Sequence, residues 1–340
     1  MYEALFATRL IHFAAAMAGF GGAAFRLYAV GDEAARGTAA AVESFDRWLT
    51  RLIQASALVL LVSGLAMVPI IAAGMAGTAA AAFDGSTLAA VLFGTGFGRV
   101  WCWHLLFTAL LLASASVAAQ RHGLTLICGA LALGSLGWVG HAARTGGWIG
   151  LGRELNQSVH LLAAGLWLGG LLPLGWLLGQ SRSAENGLGI LARDAVPPFS
   201  QMGYAAVAAI AITGVVNTLF LVGGLDALFG TPYGRLLLLK ILLYLTMVGI
   251  ALRNRFRLAP RLTDQYRSET GALYRSVLIE QAIGVAILAA VSVLGTTSSG
   301  LPAMSQTPPV SPSLSAISPA ASIPPITRAT STEMPVTVKL

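Results

Sequence analysis

Residues 52–73 read LIQASALVLLVSGLAMVPIIAA, 22 consecutive positions without an Asp, Glu, Lys or Arg. About 20 mostly apolar residues cross a bilayer as a helix, and the backbone of such a segment must satisfy its own polar groups. The stretch therefore reads as a transmembrane helix. Working outward, seven further segments pass the same test: 4–30, 100–119, 124–141, 156–178, 199–222, 235–252 and 276–296. The expectation is an all-α, polytopic membrane bundle of about eight transmembrane helices.

Composition agrees. Hydrophobic residues make up 56% of the 340 positions and charged residues only 10%, less than half the charged share of a soluble domain. The 39 glycines suit close helix packing in lipid. A net charge of +7 is read as loop charge that fixes orientation, not as a footprint for nucleic acid. The n-region ahead of the first apolar segment carries Glu3, and the segment lacks a small-residue cleavage site followed by a polar stretch, so it is expected to be a retained helix, not a signal peptide. Cys102 and Cys128 fall near opposite faces of this map, which argues against a disulfide between them.

Two regions differ from the spans. Residues 74–98 are rich in Ala and Gly but interrupted by Asp84, Gly85 and Ser86; they are read as an interfacial loop, with a short re-entrant helix as the alternative. Residues 299–340 are rich in Pro, Ser and Thr, cannot bury a core, and are expected to form a disordered periplasmic tail after a transmembrane domain of residues 1–298.

With the N-terminus placed outside, 13 Lys and Arg fall in cytoplasmic loops and eight on the other side. The 253–275 loop is the strongest anchor. The positive-inside rule then puts both termini in the periplasm of a bacterial inner membrane. Trp101, Trp103, Trp138 and Trp148 collect at the outer boundary, as interfacial anchors do.

That orientation sorts the histidines. His12, His104, His141 and His160 lie on four different helices at comparable outer depth, and His122 alone sits in a cytoplasmic turn. Ionisable residues inside spans are costly and mark functional sites by default. Neutral imidazole is a good ligand for copper, zinc or iron, so the four outer histidines are the candidate metal ligands. The plain alternative for each is a hydrogen bond to a neighbouring helix. Asn156 stands one turn before His160, either orienting its ring or capping a helix. Thr213 and Asn217 share a helix face as interhelical glue or as part of a pathway. Lys240 reads as snorkelling to the interface or lining that pathway. Glu280, one turn into the last span, reads first as a salt-bridge partner of Arg253, Arg255 or Arg275 and second as a pathway residue. There is no P-loop, no His-Glu-x-x-His and no Cys-x-x-Cys, so no enzyme is expected.

Several blocks carry a family resemblance. The stretch 158–173, SVHLLAAGLWLGGLLP, resembles the signature helix of the copper resistance D (CopD) family. TPYGRLLLLK at 231–240 with RNR at 253–255, and RSVLIE at 275–280, are similar to the same family, as is RLIH at 9–12. The resemblance spans residues 1–300 and places His12 and His160 inside matching motifs. It implies an eight-helix inner-membrane protein that handles copper ions supplied by a separate periplasmic CopC-type copper-binding protein. It further implies passage of copper from periplasm to cytoplasm. Two other classes stand beside that permease. One is a membrane electron carrier holding a bis-His haem, and the other is a non-transporting copper-binding or sensor subunit.

Overall fold

In the computed structural model, described for residues 2–31, 39–117, 122–139, 147–181, 187–222, 224–262 and 266–295, the secondary structure is helical. Seven helical segments are long and apolar enough to cross a membrane, and an eighth apolar segment, His122–Trp138, is shorter. The eight expected spans map onto these eight segments, so the chain is a polytopic helical membrane protein. The tail beyond Gly295 lies outside the described residues.

The helices run α1 (Tyr2–Phe25), α2 (Ala39–Ala76), α3 (Gly85–Gly94), α4 (Gly96–Val117), α5 (His122–Ser135), α6 (Gly147–Ala164), α7 (Gly170–Ser181), α8 (Leu188–Leu221), α9 (Leu225–Gly230), α10 (Pro232–Arg253) and α11 (Tyr266–Leu294). Several outgrow the apolar windows. α2 has 38 residues where 22 were expected, because Glu43, Asp46, Arg47 and Arg51 ride on its first turns instead of in a loop. α8 begins well before its apolar stretch and carries Pro197 and Pro198 inside it.

The expected loop at 74–98 is also corrected. Asp84, read as an interruption, caps α3: its carboxylate accepts from the backbone N–H of Thr87 and from the hydroxyls of Ser86 and Thr87. A short Asx-type cap turns the Ala/Gly-rich run into a helix of ten residues.

α1 is the hub. It packs against α2, α5, α7 and α11 and against the wide turn Gly165–Gly169 that joins α6 to α7. Its buried stretch from Ala15 to Ala24 is Ala and Gly except for Met17 and Phe20, so other backbones approach closely. A Cβ on Gly169 would strike the Met17 carbonyl, and one on Gly21 would strike the Gly165 carbonyl. The turn at Gly165–Gly169 is a single π-type turn four residues ahead of Pro173. Proline lacks an N–H and crowds the carbonyl four residues earlier, so a widened turn there is the expected relief. At the far end of α1, Arg26 grips Asp46 of α2 through two bonds of 2.6 and 3.2 Å. Packing around α1 thus fixes the depth at which its one histidine meets its neighbours.

Candidate functional site

His12 of α1 and His104 of α4 are fully buried and face each other, Nε2 to Nε2, at 3.1 Å. Trp101, one turn before His104, stacks on both imidazoles with ring centroids 5.4 and 4.9 Å away. Its indole N–H donates to the Gly64 carbonyl of α2 at 2.9 Å. Trp101 is therefore a wall of the site, 2% exposed, and not the interfacial anchor expected of it; Trp103 and Trp148 are the exposed ones.

The groups behind the rings assign their tautomers. His104 Nδ1 lies 3.0 Å from the Ala132 carbonyl, which can only accept, so this nitrogen carries the proton. The Ser135 hydroxyl, itself donating to Ala132, adds a contact at 2.9 Å. His12 Nδ1 meets the Ser63 hydroxyl at 2.9 Å. Ser63 donates its single proton to the Val59 carbonyl at 2.6 Å, so it accepts from His12. In that arrangement both Nε2 atoms are unprotonated and turn lone pairs toward each other; turning the Ser63 hydroxyl toward Nδ1 instead makes the contact an Nε2–H···Nε2 hydrogen bond from His12 to His104. Two such lone pairs in contact repel, and a shared cation between them removes the repulsion. A hydrogen bond that holds the Nδ1 proton and presents Nε2 is how a protein prepares an imidazole ligand. One ion bonded at about 2.0 Å to each nitrogen bridges such a gap.

His160 of α6 belongs to a second network. Its Nδ1 meets Thr213 of α8 at 2.8 Å, and the Thr213 hydroxyl donates to the Ala209 carbonyl. Asn156 lies inside α6 and not at its start; it donates to the Thr213 carbonyl and to Asn217 Oδ1, at 3.1 and 3.0 Å. Asn217 in turn donates to Gln157 Oε1 at 2.9 Å. Lys240, half-buried on α10, is within electrostatic range of His160. Of the four expected outer histidines, two meet, the third sits in this separate network, and His141 lies outside the described residues. Among the described residues, no three His, Cys, Asp or Glu gather closely enough to hold a metal ion. His122 is elsewhere, lining a small crevice with Asp46.

The two networks share one cavity of about 350 Å³. His12 and Trp101 form part of its wall, Gln157 and Asn217 another, and Arg9 and Arg153 also line it. Neither arginine was legible as a site residue from composition or from span positions.

Glu280 of α11 is buried in a third cluster. Asn254 donates to its Oε1 at 2.6 Å, and Ser276 donates to Asn254 Oδ1 at 2.6 Å. The expected arginine salt bridge is replaced: Arg253 and Arg275 are exposed, and among the described residues no ion pair joins an arginine to Glu280. Arg255 lines a cavity of about 90 Å³ alongside Glu280 and Asn254.

These features define a class: a multi-helix membrane protein with a pre-oriented imidazole pair beneath a polar cavity and a buried carboxyl near the other end of the bundle. Residues 1–151 match the family description "Copper resistance protein D-like, N-terminal domain", and residues 193–294 match "Copper resistance protein D". The chain is similar to "Inner membrane protein YebZ" of Escherichia coli (strain K12), 32% identical over 296 residues, covering 85% of this chain and 96% of that one. It also resembles "Copper resistance protein D" of Pseudomonas syringae pv. tomato, 31% identical over 51% of this chain and 57% of the other. "Copper transport protein CutJ" of Bacillus subtilis (strain 168) is 33% identical over 39% of this chain and 23% of its own. No solved structure matches. The chain belongs to the copper resistance protein D family.

Proposed function

We propose that the protein is an inner-membrane copper permease whose entry site is the His12–His104 pair, with copper moving from periplasm to cytoplasm. The observation that carries this reading is the pairing of two buried Nε2 atoms at 3.1 Å, each ring having a hydrogen-bond partner on its own Nδ1. The relatives, named an inner-membrane protein, a copper resistance protein and a copper transport protein, support the membrane and the metal. Imidazole suits copper among first-row metals. His160 and His141 are proposed as further ligands along the route, with Asn156, Asn217 and Lys240 beside it and Glu280 near the exit. A CopC-type periplasmic protein is the proposed donor.

The haem reading fares worse on geometry. A porphyrin between two axial imidazoles keeps them apart by the thickness of the macrocycle and its iron. The two rings here are in direct contact.

Copper titration against a chromophoric chelator tests the reading. Purified wild-type protein should compete for copper; His12→Ala and His104→Ala should each lose most of that competition, whereas His122→Ala should keep it. Equal affinity in all four proteins would remove the pair as the copper site. A Soret band in the purified protein would favour the electron carrier.

A further inference from the structure

Met67 of α2 stands where the imidazole pair has room for a further ligand. Ser63, one turn earlier on the same helix, meets His12 Nδ1 at 2.9 Å, and a Cβ on Gly64 would lie 3.4 Å from His12 Cε1. Residues three and four apart share a helix face, so Met67 sits on the face of α2 that packs on His12. Its side chain is buried, 4% exposed, and lines the cavity together with His12 and Trp101. Among the described lining residues it is the one that carries sulfur.

The charge of that cavity bears on which ion it suits. Neutral imidazoles and a thioether carry no charge, and among the described lining residues there is no Asp or Glu. Arg9 lines the same cavity and is within electrostatic range of His12. A cation seated at the pair therefore meets positive charge with no carboxylate to offset it. Coulomb repulsion scales with the charge of the ion, so a monovalent ion is repelled half as strongly as a divalent one. Thioether sulfur selects Cu(I), whereas Cu(II) prefers a square-planar set of N and O donors.

We propose that the Met67 thioether is the third ligand beside the His12–His104 pair, and that the site takes copper as Cu(I). The assignment rests on the copper reading above and adds to it a ligand and an oxidation state. No electron is transferred, because the ion enters and leaves the site as Cu(I). A methionine that only fills space would be buried here too, and the two roles part on a substitution that keeps the volume.

The test uses the full chain in detergent micelles under anaerobic conditions. X-ray absorption at the copper edge of the Cu(I)-loaded wild-type protein should show one sulfur scatterer beside nitrogen scatterers. Met67→Leu, a volume-conserving swap, should lose the sulfur. Against a chromophoric Cu(I) chelator that variant should bind about tenfold or more weakly than wild type, while its Zn²⁺ affinity stays at the wild-type level. The wild-type protein should hold Cu(I) more tightly than Cu(II) or Zn²⁺. Thermal melting checks that the variant is folded. No sulfur scatterer in the wild-type protein, or unchanged Cu(I) affinity in folded Met67→Leu, overturns Met67 as a ligand and leaves the imidazole pair standing. Cu(II) bound as tightly as Cu(I) overturns the oxidation state and leaves the copper reading standing. A wild-type protein that binds copper in neither state overturns the copper reading, and the Met67 assignment with it.

Discussion

His104 commits its Nδ1 proton to the Ala132 carbonyl, and that single bond decides what the other nitrogen can do. The same logic makes Ser63 a positioning residue for His12, because its hydroxyl accepts from Nδ1 only while its own proton is held by Val59. Ser63→Ala removes the acceptor and frees the His12 ring to change tautomer. Copper affinity should fall about 10–100-fold, as loss of an outer-shell partner does, while folding loses about 1 kcal/mol. Copper competition alongside thermal unfolding separates the two; unchanged affinity would mean that Ser63 does not orient the ring. The sequence carried part of this site. His12 and His104 were legible as imidazoles at equal depth because span alternation places them there. Their contact was not, since 92 residues separate them and they meet through helices that pack against both, α2 and α5. Ser63 and Ser135 look like any small residue in an apolar helix. The one readable local signal was Trp101, three residues before His104 and so on the same helix face.

Helix identity was legible from hydropathy, and helix length was not. A 38-residue α2 runs about 57 Å, well past a hydrocarbon core of about 30 Å, and its charged first turns escape any apolar window. The Asp84 cap was misread for a related reason: an acid within an Ala/Gly run looks like an interruption until the Thr87 N–H is seen above it. Those hydrogen bonds, led by the Thr87 hydroxyl, lower the Asp84 carboxyl to about 2. A depressed acid contributes stability that is present above its unfolded value near about 3.9 and is lost as pH falls through the folded value. The hydrogen-exchange protection of residues 85–94, relative to the intrinsic rate at each pH, should therefore fall between about pH 4 and pH 2, and Asp84→Asn should flatten that dependence. The hub contact yields a contrast in glycines. Gly169→Ala drives a methyl into the Met17 carbonyl and should destabilise by about 1–3 kcal/mol or more. Gly152→Ala, with open space at its Cβ, should be neutral or slightly stabilising. Comparable losses in the two melting curves would say that α1 does not pack backbone to backbone on the 165–169 turn.

Across the whole molecule, buried polarity is divided between two ends of the bundle. Gly295, just past the end of α11, lines the arginine cavity, and Glu280 stands 15 residues earlier on the same run of chain, about 22 Å away along a helix. Glu280 therefore does not share a ligand sphere with His12, and the pathway role proposed for it is tested by passage across the membrane and not by copper capture. The proposed direction of passage depends on orientation. A periplasm-dependent reporter fused after residue 300 should be active and one fused within residues 255–270 silent, and the reverse pattern would invert the route. Glu280 then offers a sharper test than an arginine salt bridge would have allowed, because its neighbours Asn254 and Ser276 are neutral. Glu280→Gln keeps the side chain's shape and an oxygen to accept from Asn254, so folding and copper capture at the imidazole pair should stay at wild-type levels. What it removes is the capacity to take and release a proton or to offer a charged oxygen to a cation. A carboxyl at that depth is costly to retain, on the order of 2–3 kcal/mol by insertion scales when charged, and a purely structural hydrogen bond to Asn254 does not need it. In proteoliposomes of defined orientation, copper uptake per folded Glu280→Gln molecule should fall at least about tenfold, equivalent to about 1.4 kcal/mol on the rate-limiting barrier. Glu280→Asp, one methylene shorter with the acid kept, should recover part of it. Uptake at the wild-type rate in well-folded Glu280→Gln protein would return Glu280 to a packing role and leave the exit half of the route without a carrier group.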